Sequence, residues 1–397
     1  RYLIRSFFYF NLENMTHKSE ITVPFFAPWI TREDKKAVID ALNSSLLTDG
    51  PKLRQFESAF AKFTGARYAI GVSNATSALH LSIKSLGIGK GDEVIVPDMT
   101  FVATANAVVL SGAVPVFADV EKETMNISID SIKKKINSKT KAVIPVHFAG
   151  NVCDIVTISK IARKNNLVVI EDCAHAIGAR YGEKHVGNFG STGCFSFYPT
   201  KNITTIEGGM VITNSKKTAE YIMSARNHGL TKTLVQRYAS GKPWDYDVIE
   251  SGYNYRLDEI RSALGLSQLK RIKKLNALRK KAFEYYSNRL KHVKGLVTPH
   301  SSASNDHAYH LYIMRVEKNN NVSRDELFTQ LLKYGIKTTV HYKPLHEFTT
   351  FKKFKNDNDM ENSKQLYKEI ISLPFYPNMP KKQQDFVIDC IIKIMNV

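Results

Sequence analysis

The stretch YAIGVSNATSALHLSIKSLGIGKGDEVIVPDMTFVATANAVVLSGAVPVFADV, residues 68–120, decides the fold. It contains three short apolar runs rich in β-branched residues, YAIGV (68–72), EVIVP (93–97) and VPVFA (114–118). Between them lie helical patterns that begin near Thr76 and Thr100. A helix in each connection is what parallel strands require, and strands buried on both faces read as continuous apolar runs rather than as alternating ones. The stretch therefore predicts a parallel sheet covered on both sides.

The same rhythm continues downstream. A helix is expected from about Asp130, a strand at KAVIPV (141–146), a helix over 154–165, and strands at LVVIE (167–171), CFSFY (194–198) and GMVIT (209–213). Upstream, Thr31 with Asp34 forms a capping-box pattern, and Leu53, Phe56, Phe60 and Phe63 recur at helical spacing before Gly65, so two helices open the chain. A long helical stretch is expected from Leu257 to Leu290. After GLVTP the pattern changes: AYHLYIMRV (308–316), SRDELFTQLLKYG (323–335) and IKTTVHY (336–342) read as strand, helix and strand. The expected architecture is thus α/β, with a large unit over 23–290 and a smaller α+β unit over 291–397. The polar segment 347–362 is expected to be an exposed loop. Residues 1–22 are an expected N-terminal extension, whose apolar run is too short to span a bilayer and is followed by no signal-cleavage pattern.

Composition narrows the function. With 397 residues, 43% hydrophobic and 23% charged, the chain has ample material for a core. Four scattered cysteines with no C-x-x-C pair exclude a disulfide framework and suit a reducing, cytoplasmic setting. The formal charge of +19 raises a nucleic-acid reading, but the basic groups lack aromatic interleaving and zinc-finger spacing. A solvated lysine-rich surface that attracts anionic substrates accounts for them, and neither nucleic acid nor membrane is an expected partner. Among twelve histidines no dense ligand spacing occurs, so no metal site is expected. The P-loop pattern is absent, and GIGKGDE (87–93) is only a Gly-rich turn.

Ligands of open α/β sheets bind outside the carboxyl ends of the strands. After the strand at 68–72, Ala75 and Thr76 begin a helix whose free N–H groups suit a phosphate, although taken alone Thr76 is more readily a plain cap. After 93–97 comes Phe101, either a core filler or a stacking ring. Glu171 and Asp172 end a buried strand, where a carboxylate needs a partner, and His175 lies one turn on. Lys201 sits alone in the turn between two strand-like runs of GCFSFYPTKNITTIEGGMVIT (193–213). A phosphate cradle, an aromatic ring, a carboxylate and an amine on one sheet edge are the needs of pyridoxal 5′-phosphate (PLP).

From about residue 23 onward the chain resembles the DegT/DnrJ/EryC1/StrS family of PLP-dependent nucleotide-sugar aminotransferases. The resemblance lies in TDGPKLRQFESAFAKFTGA, SNATSALHL, TFVATANAVVLSGAVPVFADV, EDCAHAIGA, GCFSFYPTKNITTIEGGMVIT, RNHG, GYNYRLDEIRSALGLSQL and VHYKPLH, in that order. It implies a PLP-dependent transferase of fold type I, with a mostly parallel seven-stranded sheet. Lys201 resembles the Schiff-base lysine and Asp172 the partner of the pyridine nitrogen. His175 matches a position that touches the opposite ring edge, Phe101 the stacking aromatic, and Ala75, Thr76 and Ser196 the phosphate ligands. Asn254 resembles a residue that reaches the neighbouring subunit's phosphate, which implies a homodimer with shared sites. His341 and Tyr342 are candidate substrate contacts, together with the segment 229–256. The implied reaction moves an amino group from glutamate, releasing 2-oxoglutarate, to a nucleotide-linked keto-sugar, with a 4-keto-6-deoxy sugar favoured over a 3-keto sugar. Retention of Lys201 disfavours a PLP-dependent sugar dehydratase, and the intact residue set disfavours a non-catalytic binding module.

Overall fold

The computed structural model describes residues 22–300, 305–317, 321–354 and 359–396. The expected extension therefore lies, except for residue 22, outside the described residues. The chain opens with α1 (Arg32–Leu42) and α2 (Pro51–Thr64). Then β1 (Tyr68–Val72), α3 (Ala75–Ser85), β2 (Glu93–Pro97), α4 (Ala103–Leu110), β3 (Val114–Ala118), α5 (Ile129–Lys135), β4 (Thr140–Val143), α6 (Ile155–Lys164) and β5 (Val168–Asp172) alternate. A small hairpin of β6 (Arg180–Tyr181) and β7 (Lys184–His185) precedes β8 (Thr192–Ser196) and β9 (Gly209–Thr213). After these come α7 (Lys216–Ala225), α8 (Leu234–Ala239), α9 (Glu259–Leu269), α10 (Ile272–Leu290), β10 (Leu296–Val297), β11 (Asn305–Asp306) and β12 (Tyr312–Val316). The chain closes with α11 (Arg324–Lys333), α12 (Glu361–Glu369), β13 (Ile370–Leu373) and α13 (Lys381–Met395).

The seven-stranded sheet has the order β1-β9-β8-β5-β4-β2-β3 and is parallel except for β9, which runs against both neighbours. Alternate residues of its apolar runs feed two cores. Ile95, Val116, Val169, Phe195 and Met210 pack on the side of α2 and α6, whereas Val94, Phe117, Ile170, Cys194 and Val211 pack on the side of α3, α4 and α7. This double burial explains why the strands read as unbroken hydrophobic runs. The first two helices form as their end signals predict. Thr31 and Asp34 complete a capping box, and Gly65 ends α2 at φ 76°, a left-handed conformation that glycine adopts without steric cost.

Several boundaries differ from expectation. The stretch 257–290 is two helices, broken at Lys270 and Arg271. Arg271 is drawn aside to an ion pair with the buried Asp34, which also accepts from Ser267 Oγ at 2.7 Å and Gln268 Nε2 at 3.0 Å. α4 begins at Ala103 rather than Thr100, and the ladder of β4 ends at Val143, with Val146 making only an isolated bridge to Asp172. Residues 336–342 are not a strand; Ile336 and Thr339 make single bridges to Val23 and Ser372. The antiparallel three-stranded sheet near the C-terminus is instead β10-β12-β13, with Ile370–Leu373 supplying its third strand, and β11 joins the β6–β7 hairpin in another. It packs on α11 and α13 around Tyr286, Tyr312, Leu327, Ile371 and Ile391. α10 serves both cores, through Leu275 in the first and Phe283, Tyr286 and Leu290 in the second. A division into two units near residue 290 remains our proposal.

The segment expected as an exposed loop is partly buried, with Phe351 and Met360 in the core beside α3 and α4. Its two ends are held by carboxylates at the ends of adjacent parallel strands. Asp98, after β2, accepts from His346 N–H at 3.0 Å, from His346 Nδ1 at 2.7 Å and from Ser363 Oγ at 2.7 Å. Asp119, after β3, accepts from the N–H groups of Asn362 and Ser363, each at 2.9 Å.

Candidate active site

The strand ends bring most of the sequence candidates to one edge of the large sheet. After β1, Asn74 caps α3: its side chain accepts from Ser77 N–H at 2.9 Å and its carbonyl from Ala78 N–H at 3.1 Å. Asn74, not Thr76, is thus the cap, and the N–H groups of Ala75 and Thr76 have no partner among the described residues. They stand at the positive end of the helix dipole, a site suited to an anion. Gly209 begins β9 beside them; a Cβ there would lie 2.5 Å from the Asn74 carbonyl carbon and 2.8 Å from Ala75 N. Ser196 pairs with Gly209 across the ladder, so its hydroxyl shares this corner. The Asn254 side chain is exposed and makes no hydrogen bond within the described chain.

Glu171 and Asp172 end β5, and neighbouring residues of a strand face opposite sides. Glu171, fully buried, accepts from the N–H groups of Gly187, Phe189 and Gly190, each at 2.7 Å, and faces His147 Nε2 at 3.1 Å. Cys153 N–H donates to His147 Nδ1 at 3.2 Å, so the histidine proton sits on Nε2 and points at Glu171. Cys173 Sγ lies close to these two, the ligand atoms of the three residues falling within 4.8 Å of one another. The His147 and Glu171 atoms are already committed, so the group acts as a latch for the 186–190 turn. Asp172 has a different surrounding. Its Oδ2 accepts from Thr104 Oγ1 at 2.9 Å and its Oδ1 from Ala174 N–H at 3.1 Å, and among the described residues no cation is within ion-pair distance. Burial pushes its pKa above the usual carboxylate value, opposed by those two donors and by the charge of Lys201.

Lys201 lies half-buried in the β8–β9 connection, and its Nζ makes no hydrogen bond or ion pair among the described residues. Burial lowers its pKa from 10.5 to about 8, with Asp172 pulling the other way. Phe101 is 56% exposed, which rules out the core-filler reading, and its ring lies 6.0 Å from that of Tyr342. His175 is buried; its Nδ1 accepts from Ala149 N–H at 3.3 Å and its Nε2 is 3.2 Å from Tyr342 Oη. Burial, helped by the charges of Lys201 and His341, holds its pKa well below the ordinary histidine value. His341 bonds Ser372 Oγ through Nδ1 at 2.8 Å, and burial lowers its pKa to about 3.

Residues that the sequence reading passed over complete the wall. His310 lies 4.4 Å from the His175 ring, centroid to centroid, and 3.2 Å through Nδ1 from Asn202 Oδ1. Asn202, next to Lys201, donates through Nδ2 to Asn276 Oδ1 at 2.7 Å and Ala308 O at 2.6 Å. Arg279 donates to the His310 carbonyl at 3.1 Å, and burial lowers its pKa to about 9. In sequence His310 lies inside the apolar run AYHLYIMRV, where nothing distinguishes it from a strand residue facing the core.

The donor set fits PLP. Two free N–H groups at a helix start suit the phosphate, and an exposed ring can cover the pyridine. Asp172 lacks a protein cation and can take a pyridinium proton, and Lys201 offers an amine with lowered proton affinity. The model of the DegT/DnrJ/EryC1/StrS aminotransferase family matches residues 28–392, and the chain belongs to that family. It is accordingly a PLP-dependent enzyme of the sugar aminotransferase family, with the fold type I architecture that the motifs implied. It is similar to the spore coat polysaccharide biosynthesis protein SpsC of Bacillus subtilis, at 39% identity over 96% of this chain and 99% of that one. Among solved structures, Helicobacter pylori PseC, an aminotransferase involved in the biosynthesis of pseudoaminic acid, superposes with a TM-score of 0.89 at 32% identity, over 95% of this chain and all of the other. Spr1654 of Streptococcus pneumoniae in its PLP-form gives 0.87 at 29% identity, over 95% of this chain and 99% of that one. No helix among the described residues is long and apolar enough to cross a membrane.

Proposed function

We propose that the protein transfers an amino group from glutamate to a nucleotide-linked keto-sugar, a 4-keto-6-deoxy sugar in particular, and so supplies an amino sugar for glycan assembly. The observation that carries this reading is the pairing of Lys201, a poorly solvated amine without a protein partner, with Asp172, a buried carboxylate without a protein cation. Sugar chemistry is supported by the polysaccharide and pseudoaminic acid roles named for SpsC and PseC. Bound PLP supplies an aldehyde that captures amines and a ring that accepts the electron pair released at the substrate carbon.

The protein's part is to hold and to move protons. Asp172, with Thr104 and Ala174 fixing its carboxylate, would hold the ring nitrogen of PLP protonated. Lys201 Nζ would hold the cofactor's aldehyde and, as a neutral amine, would accept and return the proton of the amino-acid Cα. Its lowered pKa suits both directions near neutral pH. Ala75, Thr76 and Ser196 would hold the phosphate, and Phe101 would cover the ring. His175 would touch the ring edge, and His341, Tyr342 and residues 229–256 would border the sugar. In this reading Asn254, exposed in the single chain, reaches the phosphate of a second subunit in a homodimer. Four free, buried thiols accord with a reducing cytoplasm.

The test is the near-visible absorbance of the purified protein with PLP, before and after glutamate. A protein-bound band that glutamate converts to the pyridoxamine spectrum, and that fails to form in Lys201→Ala, is expected. No band at saturating PLP, or a band indifferent to glutamate, would overturn the proposal.

A further inference from the structure

The amino edge of the large sheet, opposite the edge that carries Lys201, has a cleft of about 400 Å³. It opens between the last turn of α2, the β6–β7 hairpin and Asn214, which follows β9. β8 and β9, five residues each, separate it from the Lys201 edge by about 17 Å.

The floor of this cleft is rich in acceptors. Asn188 is 9% exposed, and its Nδ2 donates to Thr64 O at 2.9 Å and to His185 O at 3.3 Å. Its Oδ1, on the other arm of the amide, receives no hydrogen bond among the described residues. A buried carbonyl oxygen of this kind costs stability until something donates to it. At the end of α2, Ala61 O takes the N–H groups of Gly65 and Ala66, and Thr64 O takes Asn188. The carbonyls of Lys62 and Phe63 are left without a donor among the described residues. His185 adds nothing polar, for its Nε2 accepts from Gly178 N–H at 2.9 Å and its Nδ1 donates to Val186 O at 2.6 Å. Burial lowers its pKa to about 4, so it stays neutral and forms an apolar wall with the Phe63 ring, 5.3 Å away. The rim has the opposite character. Lys62, Arg180 and Lys184 stand there against one carboxylate, Glu183. Arg180 donates to the Glu183 carbonyl and Lys184 lies 4.6 Å over the Phe189 ring, but none of the three cations forms an ion pair among the described residues. Asn214 Oδ1 accepts from Arg67 N–H at 2.9 Å, which leaves its exposed Nδ2 as a further donor.

We propose that this cleft binds a sugar phosphate, its hydroxyls donating to Asn188 Oδ1 and the α2 carbonyls and its phosphate held by Lys62, Arg180 and Lys184. Acceptors on the floor call for donors, and unpaired cations on the rim call for an anion. A bare anion meets only the second demand and an uncharged sugar only the first. A phosphorylated sugar meets both, and its C–H face can lie on Phe63. A free sugar phosphate and a nucleotide-linked sugar share this chemistry. The cleft uses no residue of the catalytic edge, so its occupancy is independent of the reaction proposed above.

The experiment is isothermal titration calorimetry of the PLP-loaded protein with inorganic phosphate, glucose, glucose 1-phosphate and UDP-glucose. Glucose 1-phosphate should bind at least about tenfold tighter than phosphate or glucose, because both halves of the cleft are engaged. Lys62→Glu combined with Lys184→Glu should weaken it at least about tenfold. Both side chains are exposed and far from Lys201, so the near-visible PLP band and its response to glutamate should stay as in the wild type. Asn188→Ala should weaken binding of glucose 1-phosphate but not of inorganic phosphate. UDP-glucose can also enter the catalytic edge, so only the component lost in the lysine double variant belongs to the cleft. A loss larger than that of glucose 1-phosphate identifies the ligand as nucleotide-linked, and a smaller one as the free sugar phosphate. Glucose 1-phosphate binding that is unchanged in the lysine double variant, or no tighter than that of inorganic phosphate, overturns the proposal. Should Asn188→Ala not fold, the lysine double variant decides alone.

Discussion

Lys201 should capture PLP at neutral pH far faster than an ordinary lysine, because the neutral amine is the nucleophile. With a pKa of about 8, about 9% of Lys201 is neutral at pH 7, against about 0.03% for an unperturbed lysine, a ratio of about 300. The perturbation is pH itself, and the assay is stopped-flow absorbance after mixing apoprotein with PLP between pH 6 and 10. A blocked free lysine measured in the same buffers, its rate expressed per neutral amine, divides out the titration of the cofactor. The normalised rate should climb tenfold per unit and level off near pH 8. Asp172→Asn provides the second arm. The Asp172 charge raises the Lys201 pKa, so its removal should move the midpoint below 8. The same depression makes apoprotein stability pH-dependent. Between about 8 and 10.5 the unfolded chain binds the proton that folded Lys201 has released, so the contribution of Lys201 to stability rises with pH through that window and is flat below it, while the raised thiols of Cys153, Cys173 and Cys194 act in the opposite sense. The difference in stability between wild type and Lys201→Met in thermal melts should carry this slope. A capture rate still climbing above pH 9.5, or a midpoint that rises in Asp172→Asn, would refute the reasoning.

Gly209→Ala should weaken PLP binding at least about tenfold, measured by equilibrium titration, because its methyl group would meet the Asn74 carbonyl carbon at 2.5 Å and displace the start of α3; unchanged affinity would place the phosphate elsewhere. Glu171→Gln replaces two acceptor oxygens by one amide oxygen among three backbone donors and His147, and should cost about 2–4 kcal/mol in urea unfolding. A loss under 1 kcal/mol would mean that the 186–190 turn does not depend on this latch.

The parts legible in sequence are those whose signals are local. Five residues of Val, Ile and Phe buried on both faces announce a strand by themselves, and β1, β2, β3 and β9 fall where YAIGV, EVIVP, VPVFA and GMVIT predict them. Capping signals are equally local, as Thr31–Asp34 and Gly65 show. The errors lie where distant contacts override local preference. Arg271 breaks a helical pattern to reach Asp34, 237 residues away in sequence, and 336–342 has the composition of a strand but Ile370–Leu373 takes the place in the sheet. Segment 347–362 is polar on average, yet Phe351 and Met360 are buried because Asp98 and Asp119 draw its ends inward.

For this protein the sequence alone determined the class of fold, the family and the chemistry of the cofactor. The fold class and the needs of the cofactor follow from residue types at fixed short spacings, a lysine in a turn, a carboxylate at a strand end, a helix start after a strand, and the family from the resemblance of whole motifs such as GCFSFYPTKNITTIEGGMVIT. Only the tertiary structure decided how the groups are tuned and which others join them. Lys201 acquires its lowered pKa from burial, which has no signature in neighbouring residues. Asn74 takes the cap that Thr76 could have filled, and His310 enters the site through Asn202, 108 residues earlier in the chain. Asp98 and His346 meet across 248 residues. Desolvation and long-range hydrogen bonds exist only once the chain has closed on itself, and so these features had to wait for the fold.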